Sequence, residues 1–156
     1  MRYRLLAALA LALACSLSIP AVQAAGNGLI TLRSAHSVTR TVQRLENALR
    51  AKGMIIFARI DHAQGANRVR LKLRPTVLLI FGNPKVGTVL IKCKQTVGID
   101  LPLKMLAWRD ARGRVWLTYN DPRYLAARHR LGRCGAAAVG KMSVALRRFA
   151  KAAAAP

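Results

Sequence analysis

Three histidines and five carboxylates stand against 27 Lys and Arg, so acid–base chemistry has few carriers in this sequence. His62 follows Asp61, and His129 has Asp121 within reach in the chain. A His held by a carboxylate can move protons, but such pairs form in space and their spacing predicts nothing. No HExxH or comparable ligand spacing points to a metal, and no GxSxG elbow points to a serine nucleophile. Gly82-Asn83-Pro84-Lys85-Val86-Gly87-Thr88 has the glycines of a phosphate loop. The Lys that should precede Thr88 is missing, which rejects nucleotide hydrolysis. A weaker anion site remains at Asn83 and Lys85, against the plainer reading of a capped strand-to-helix turn. Lys104, within an apolar strand, is a base if half buried; the plainer reading lays its stem over apolar neighbours with the amine in water. Asn120 and Asp121 face either a cleft or, for Asp121, ordinary duty as a helix cap. The candidate ligand-binding residues are therefore Asp61, His62, Asn83, Lys85, Lys104, Asn120, Asp121 and His129. No residue is assigned a catalytic role, and no metal or cofactor is indicated.

The elements that must position them follow from periodicity. Residues 28–33 read as a strand. Val38, Val42, Leu45 and Leu49 then form one helical stripe, with Ser37 as N-cap and Gly53 as a left-handed terminus. Residues 54–60 make a second strand. Residues 68–74 alternate Arg68, Arg70, Lys72 and Arg74 with Val69, Leu71 and Leu73, which argues for a strand with one cationic edge or face, against a loop or short helix whose charges are merely solvated. Residues 76–82 are almost wholly apolar and predict a central strand. Asn83-Pro84 opens a helix of about ten residues. Residues 101–108 and 115–119 form a hairpin, Asp121-Pro122 starts another helix, and 138–155 is a basic, alanine-rich helix. The expected fold is α+β: a single mixed sheet of about five strands with helices packed on it, a strand-helix-strand start and a hairpin near the C-terminal half.

The first residues read as an address. Arg2 and Arg4 precede an apolar stretch from Leu5 to Ala14, and Val22-Gln23-Ala24 supplies the small residues of a cleavage site. The expected organisation is a secretory signal at 1–24, an α+β domain at 25–135 and a basic helix at 136–156. Cleavage removes two arginines and no acid, lowering the net charge from +22 to +20. The length of 156 residues, 53% apolar, suits one domain with a real core and excludes disorder along the whole chain. Export to the periplasm or beyond separates the charge from the chromosome. Nucleic acid then falls away as a partner, and lipid head groups or other envelope anions take its place. No transmembrane domain is expected after cleavage. Cys15 leaves with the signal. Cys93 and Cys134 remain, either as one disulfide or as buried thiols.

Three strings carry a resemblance: LRPTVLLIFGNPKVGT (73–88), IDLPLKMLAWRD (99–110) and VWLTYNDPRYLAARH (115–129). They resemble domain-of-unknown-function family 302, small bacterial α+β domains with no established activity. The likeness runs from about Gly28 to His129. Matching positions include Asp61, His62, Gly82, Asn83, Gly87, Asp100, Pro102, Lys104, Asn120, Asp121 and His129. The resemblance implies a compact domain able to form homodimers, and it favours a short helix after His62 over a strand at 68–74. Arg70 stands where a small residue is usual.

Function is expected to be non-catalytic binding of anionic ligands or envelope surfaces. The alternatives are an enzyme with a His/Lys/Asn/Asp pocket and a structural, self-associating module.

Overall fold

A computed structural model describes residues 26–156, so the signal read at 1–24 lies outside the described residues. The first strand, β1 (Leu29–Ser34), leads into α1 (Val38–Arg50). Ser37 caps that helix by accepting from the Arg40 amide. Gly53, at φ +65°, turns the chain into β2 (Ile55–Asp61). After α2 (His62–Arg68) come β3 (Thr76–Gly82), α3 (Pro84–Cys93) and a 3-10 turn over Gln95–Ile99. The hairpin is β4 (Leu103–Arg109) and β5 (Val115–Asn120), followed by α4 (Pro122–Arg128) and α5 (Gly132–Ala154).

The fold is α+β, with one five-stranded sheet in the order β1-β5-β4-β3-β2. Each neighbouring pair is antiparallel, so the sheet is antiparallel throughout where the sequence predicts a mixed one. The reason is that β1 and β2, joined by the α1 crossover, occupy the two edges and do not pair. One sheet face carries the core. Leu79, Phe81, Met105 and Leu117 point there and are buried against Leu45 and Leu49 of α1 and Leu146 and Phe149 of α5. Phe81 and Phe149 meet edge to face, centroids 6.5 Å apart. A smaller cluster of Leu90, Val97, Leu131, Val139 and Met142 joins α3 to α5.

The stretch 68–74 is not a strand. Asp61 accepts from the Gln64 amide and starts α2. The helix then ends with Arg70 at φ 59°. There the Arg70 amide donates to Asn67 O and the Leu71 amide to Ala66 O, a left-handed helix stop of the kind glycine usually occupies. Residues 71–74 then run without a sheet partner, which leaves the alternation without a ladder to join. The last helix also begins earlier than periodicity predicted, at Gly132, because its first turns pack on α3: a side chain at Gly135 would press on Leu131 and Leu90.

Cys93 and Cys134 lie in bonding contact with their alpha carbons 5.8 Å apart, joining the end of α3 to the start of α5 across 41 positions. Unreduced protein should therefore show no free thiol at either position by alkylation and mass mapping. The double variant Cys93→Ser/Cys134→Ser should lose about 3–4 kcal/mol in denaturant unfolding, the chain-entropy value for a loop of that size. Free thiols in the unreduced protein would show that the bond does not form.

Candidate functional site

The sheet presents chemistry at its two ends and on its uncovered face. At the end where β3 begins, the β4–β5 turn is built on Asp110. Its Oδ1 accepts from the amides of Arg112 and Arg114, and its Oδ2 from Arg114 Nε at 2.7 Å and Trp116 Nε1 at 3.0 Å. Burial alone would raise the Asp110 pKa. The hydrogen bonds from Trp116 and Arg114 and the charge of Arg114 outweigh it and hold the carboxyl well below the usual carboxylate range. Trp116 stacks on Trp108, centroids 6.3 Å apart, and the Arg114 guanidinium lies over the Trp116 ring.

A polar cleft of about 420 Å³ opens beside this turn, lined by Arg33 of β1, Arg109 of β4, Arg114 and the Ser37–Thr39 start of α1. The 71–75 segment reaches the same place. Arg74 Nε donates to Arg109 O, and the Arg109 amide donates to Pro75 O. This end therefore gathers Arg33, Arg74, Arg109, Arg112 and Arg114, and the segment leading into it carries Arg70 and Lys72. Beside these cations Val69, Leu71 and Leu73 are 66%, 64% and 49% exposed.

At the opposite end lies a second cleft, of similar volume but almost wholly apolar. Its floor is Met54, Gly82 and Leu103 at the strand ends, and α3 and α5 form its walls. Lys141 is the single charged side chain in its lining.

The candidate residues are distributed over these regions and are not gathered in one pocket. Asp61 faces Val77 across the β2–β3 pair. Asn83 lies past the far end of β3, about 20 Å away at about 3.4 Å per residue. His62 is exposed on the first turn of α2. Asn83 caps α3 by accepting from the Lys85 amide at 2.9 Å, and Lys85 is exposed. Lys104 sits opposite Ile80 on the uncovered sheet face, half buried. Asn120 is on that face too, paired with Leu29. Asp121 caps α4 through the Arg123 amide and holds the Arg123 guanidinium at 2.8 Å. Burial opposes its ionisation, but the Arg123 hydrogen bonds and charge win and lower its pKa.

His129 is buried, and its partner is Asp100, with Nε2 and Oδ2 2.6 Å apart. Arg128 adds a contact to the other Asp100 oxygen at 3.3 Å. His129 Nδ1 faces Thr96 Oγ1 at 3.4 Å. The pair fastens the approach to β4 onto the end of α4. Sequence reasoning did not single out Asp100 as this partner, because the two lie in different segments. Nor did it single out Arg33, Arg109 and Lys141. The signal for the cationic end is the alternation at 68–74.

Each of the five Asp and Glu side chains has a partner. Glu46 meets Arg59 at 3.7 Å, and Asp61, Asp100, Asp110 and Asp121 have the partners given above. Among the described residues, no helix is long and apolar enough to cross a membrane.

The depressed Asp110 pKa makes the hairpin acid-sensitive. A carboxylate whose folded pKa lies below its ordinary value of 3.8 contributes stability above that value and loses it as pH falls through the folded value. Carbonyl-carbon NMR titration should show Asp110 as the last carboxyl to protonate. Asp110→Asn should be less stable than wild type near neutrality and lose less of its remaining stability below pH ~4. An Asp110 titration at the ordinary value would refute the geometry of the turn.

Comparison with known proteins agrees with this architecture. The crystal structure of an uncharacterized conserved protein DUF302 from Bacillus stearothermophilus superposes with a TM-score of 0.73 at 17% identity, covering 81% of this chain and 98% of that one. Two proteins named fluoride-specific ion channel FluC 1, from Brucella suis and Brucella abortus, are each 52% identical over 106 residues, 68% of this chain. The match covers 42% and 39% of those two proteins, so the chain spans about two fifths of the relatives' length. The profile of the family described as domain of unknown function DUF302 matches residues 30–149, and the chain belongs to that family.

Proposed function

We infer that this chain is an exported, non-catalytic binding domain whose cationic sheet end engages anionic envelope surfaces. One observation carries the reading. The cleft of Arg33, Arg109 and Arg114 and the segment bearing Arg70, Lys72 and Arg74 share one end of the sheet with three exposed aliphatic side chains. Two carboxylates stand at that end: Asp110 is taken up by Arg114 and Trp116, and Asp61 accepts from the Gln64 amide as the cap of α2. Basic residues interleaved with aliphatic ones suit a lipid head-group layer, with charge drawing the domain in and Leu71 and Leu73 entering the boundary. The leader-like start supports delivery to such a surface. The Brucella relatives are named as ion channels, which is compatible with work at a membrane.

Sedimentation with vesicles tests the reading. The protein should pellet with phosphatidylglycerol-containing vesicles at low salt, stay in solution with phosphatidylcholine alone, and be released by added salt. Arg70→Gly/Lys72→Ser should weaken binding roughly 30-fold, at about 1 kcal/mol per cation near the surface. That variant should fold at least as well as wild type, because glycine relieves the left-handed position. Equal binding to neutral and anionic vesicles would remove the reading.

Self-association is a second reading, favoured by the uncovered sheet face. There Leu78, Ile80, Leu106 and Trp108 are half buried, and Leu29 and Ile60 are 38% and 39% exposed. A homodimer seen by native mass spectrometry and split by Leu106→Lys would support it. A monomer at all concentrations would end it. The scattering of the candidate polar residues gives the enzyme alternative no comparable observation.

A further inference from the structure

The apolar cleft takes no part in the surface reading and lies at the other end of the sheet. We propose that it binds a single aliphatic chain carrying an anionic head, the chain lying between α3 and α5 and the head meeting Lys141.

The volume of about 420 Å³ falls in the range of small-molecule sites. Val86 and Ile91 of α3, Met142 and Ala145 of α5, and Met54 and Leu103 of the sheet offer flexible or aliphatic surface, which suits an unbranched chain more than a rigid ring. Phe57 and Ile91 line the cleft yet remain 52% and 37% exposed, so apolar surface at the mouth waits to be covered. Charge then chooses the head. Lys141 is exposed on α5, the lining holds no carboxylate, and a carboxylate or phosphate head would answer that ammonium. The walls are also fixed before any ligand arrives. The Cys93–Cys134 contact and the Leu90–Val139–Met142 cluster hold α3 against α5, so binding need not order them.

Calorimetric titration of the protein with dodecanoate, below its micelle concentration, tests the proposal. Dodecan-1-ol and dodecyltrimethylammonium serve as neutral and cationic comparisons. Dodecanoate should bind saturably at one per chain and at least tenfold more tightly than the cation. Gly87→Leu should abolish this binding with no loss in Tm. Gly87 lies within α3, and a Cβ there meets nothing closer than Leu101 Cδ1 at 3.8 Å, so the leucine enters open cleft and improves helix propensity. Lys141→Met should weaken dodecanoate about tenfold and leave dodecan-1-ol unchanged. Absence of saturable binding to the wild type, or undiminished binding to Gly87→Leu, overturns the proposal. So does a homodimer that Gly87→Leu dissociates, since the cleft would then be a contact between copies. The two sites are separable: Arg70→Gly/Lys72→Ser should keep dodecanoate binding, and Gly87→Leu should keep vesicle binding.

Discussion

Everything in this domain depends on one apolar layer, the seam where α1 and α5 lie on a single face of the sheet. Leu45, Leu49, Leu79, Phe81 and Leu117 are sealed within it at 0% exposure, and Ala150 and Ala153 let α5 approach closely. The far end of α5 is tied down as well: Arg44 donates to Ala152 O and Ala155 O, and the Ala35 amide to Ala154 O. Those carbonyls would otherwise end the helix without partners. With both long helices spent on one face, the opposite face and the two sheet ends must meet solvent or something else. That division makes room for two clefts of opposite character.

Their separation is electrostatic as much as geometric. Five carboxylates cannot neutralise 27 Lys and Arg, and each is used close to where it sits in the chain or fold. Asp61 and Asp121 cap helices, Asp110 forms a turn, Asp100 holds a buried histidine and Glu46 meets Arg59 across α1 and β2. The loose Glu46–Arg59 pair, at 3.7 Å with the arginine exposed, contributes little stability. None of the five is paired with Arg33, Arg74 or Arg109. The cations at that end are left to the solvent or to a partner. The apolar cleft, by contrast, holds a lone ammonium at its rim.

Much of the fold was legible because local rules and tertiary packing agree. Ser37, Asn83 and Asp121 cap the helices that periodicity placed, β3 is the interior strand its composition suggested, and the 101–119 hairpin turns on Asp110. The failure at 68–74 is instructive. Alternation describes side-chain type, and a strand also needs a neighbouring ladder; here Arg70 adopts a left-handed conformation and the following residues leave the sheet. Aliphatic side chains that alternation would bury remain outside. The candidate site was less legible. Asp100 and His129 meet only because the 3-10 turn and α4 are folded together. The apolar cleft draws on β2, β3, α3 and α5, segments whose apolar residues each read separately as core. Gly82, Gly87 and Pro102, marked by the family resemblance, prove to line that cleft.

The engagement of every acid nearby has a consequence for how the domain behaves as a charged object. Mutual repulsion among the leftover guanidinium and ammonium groups opposes compactness, and it reaches farther than the short contacts that oppose it. Dissolved electrolyte should therefore firm the isolated domain and, on the proposed surface-binding function, loosen it from a lipid sheet. Docking would supply the missing counterions itself, so the attached form should melt later than the free one in dilute buffer.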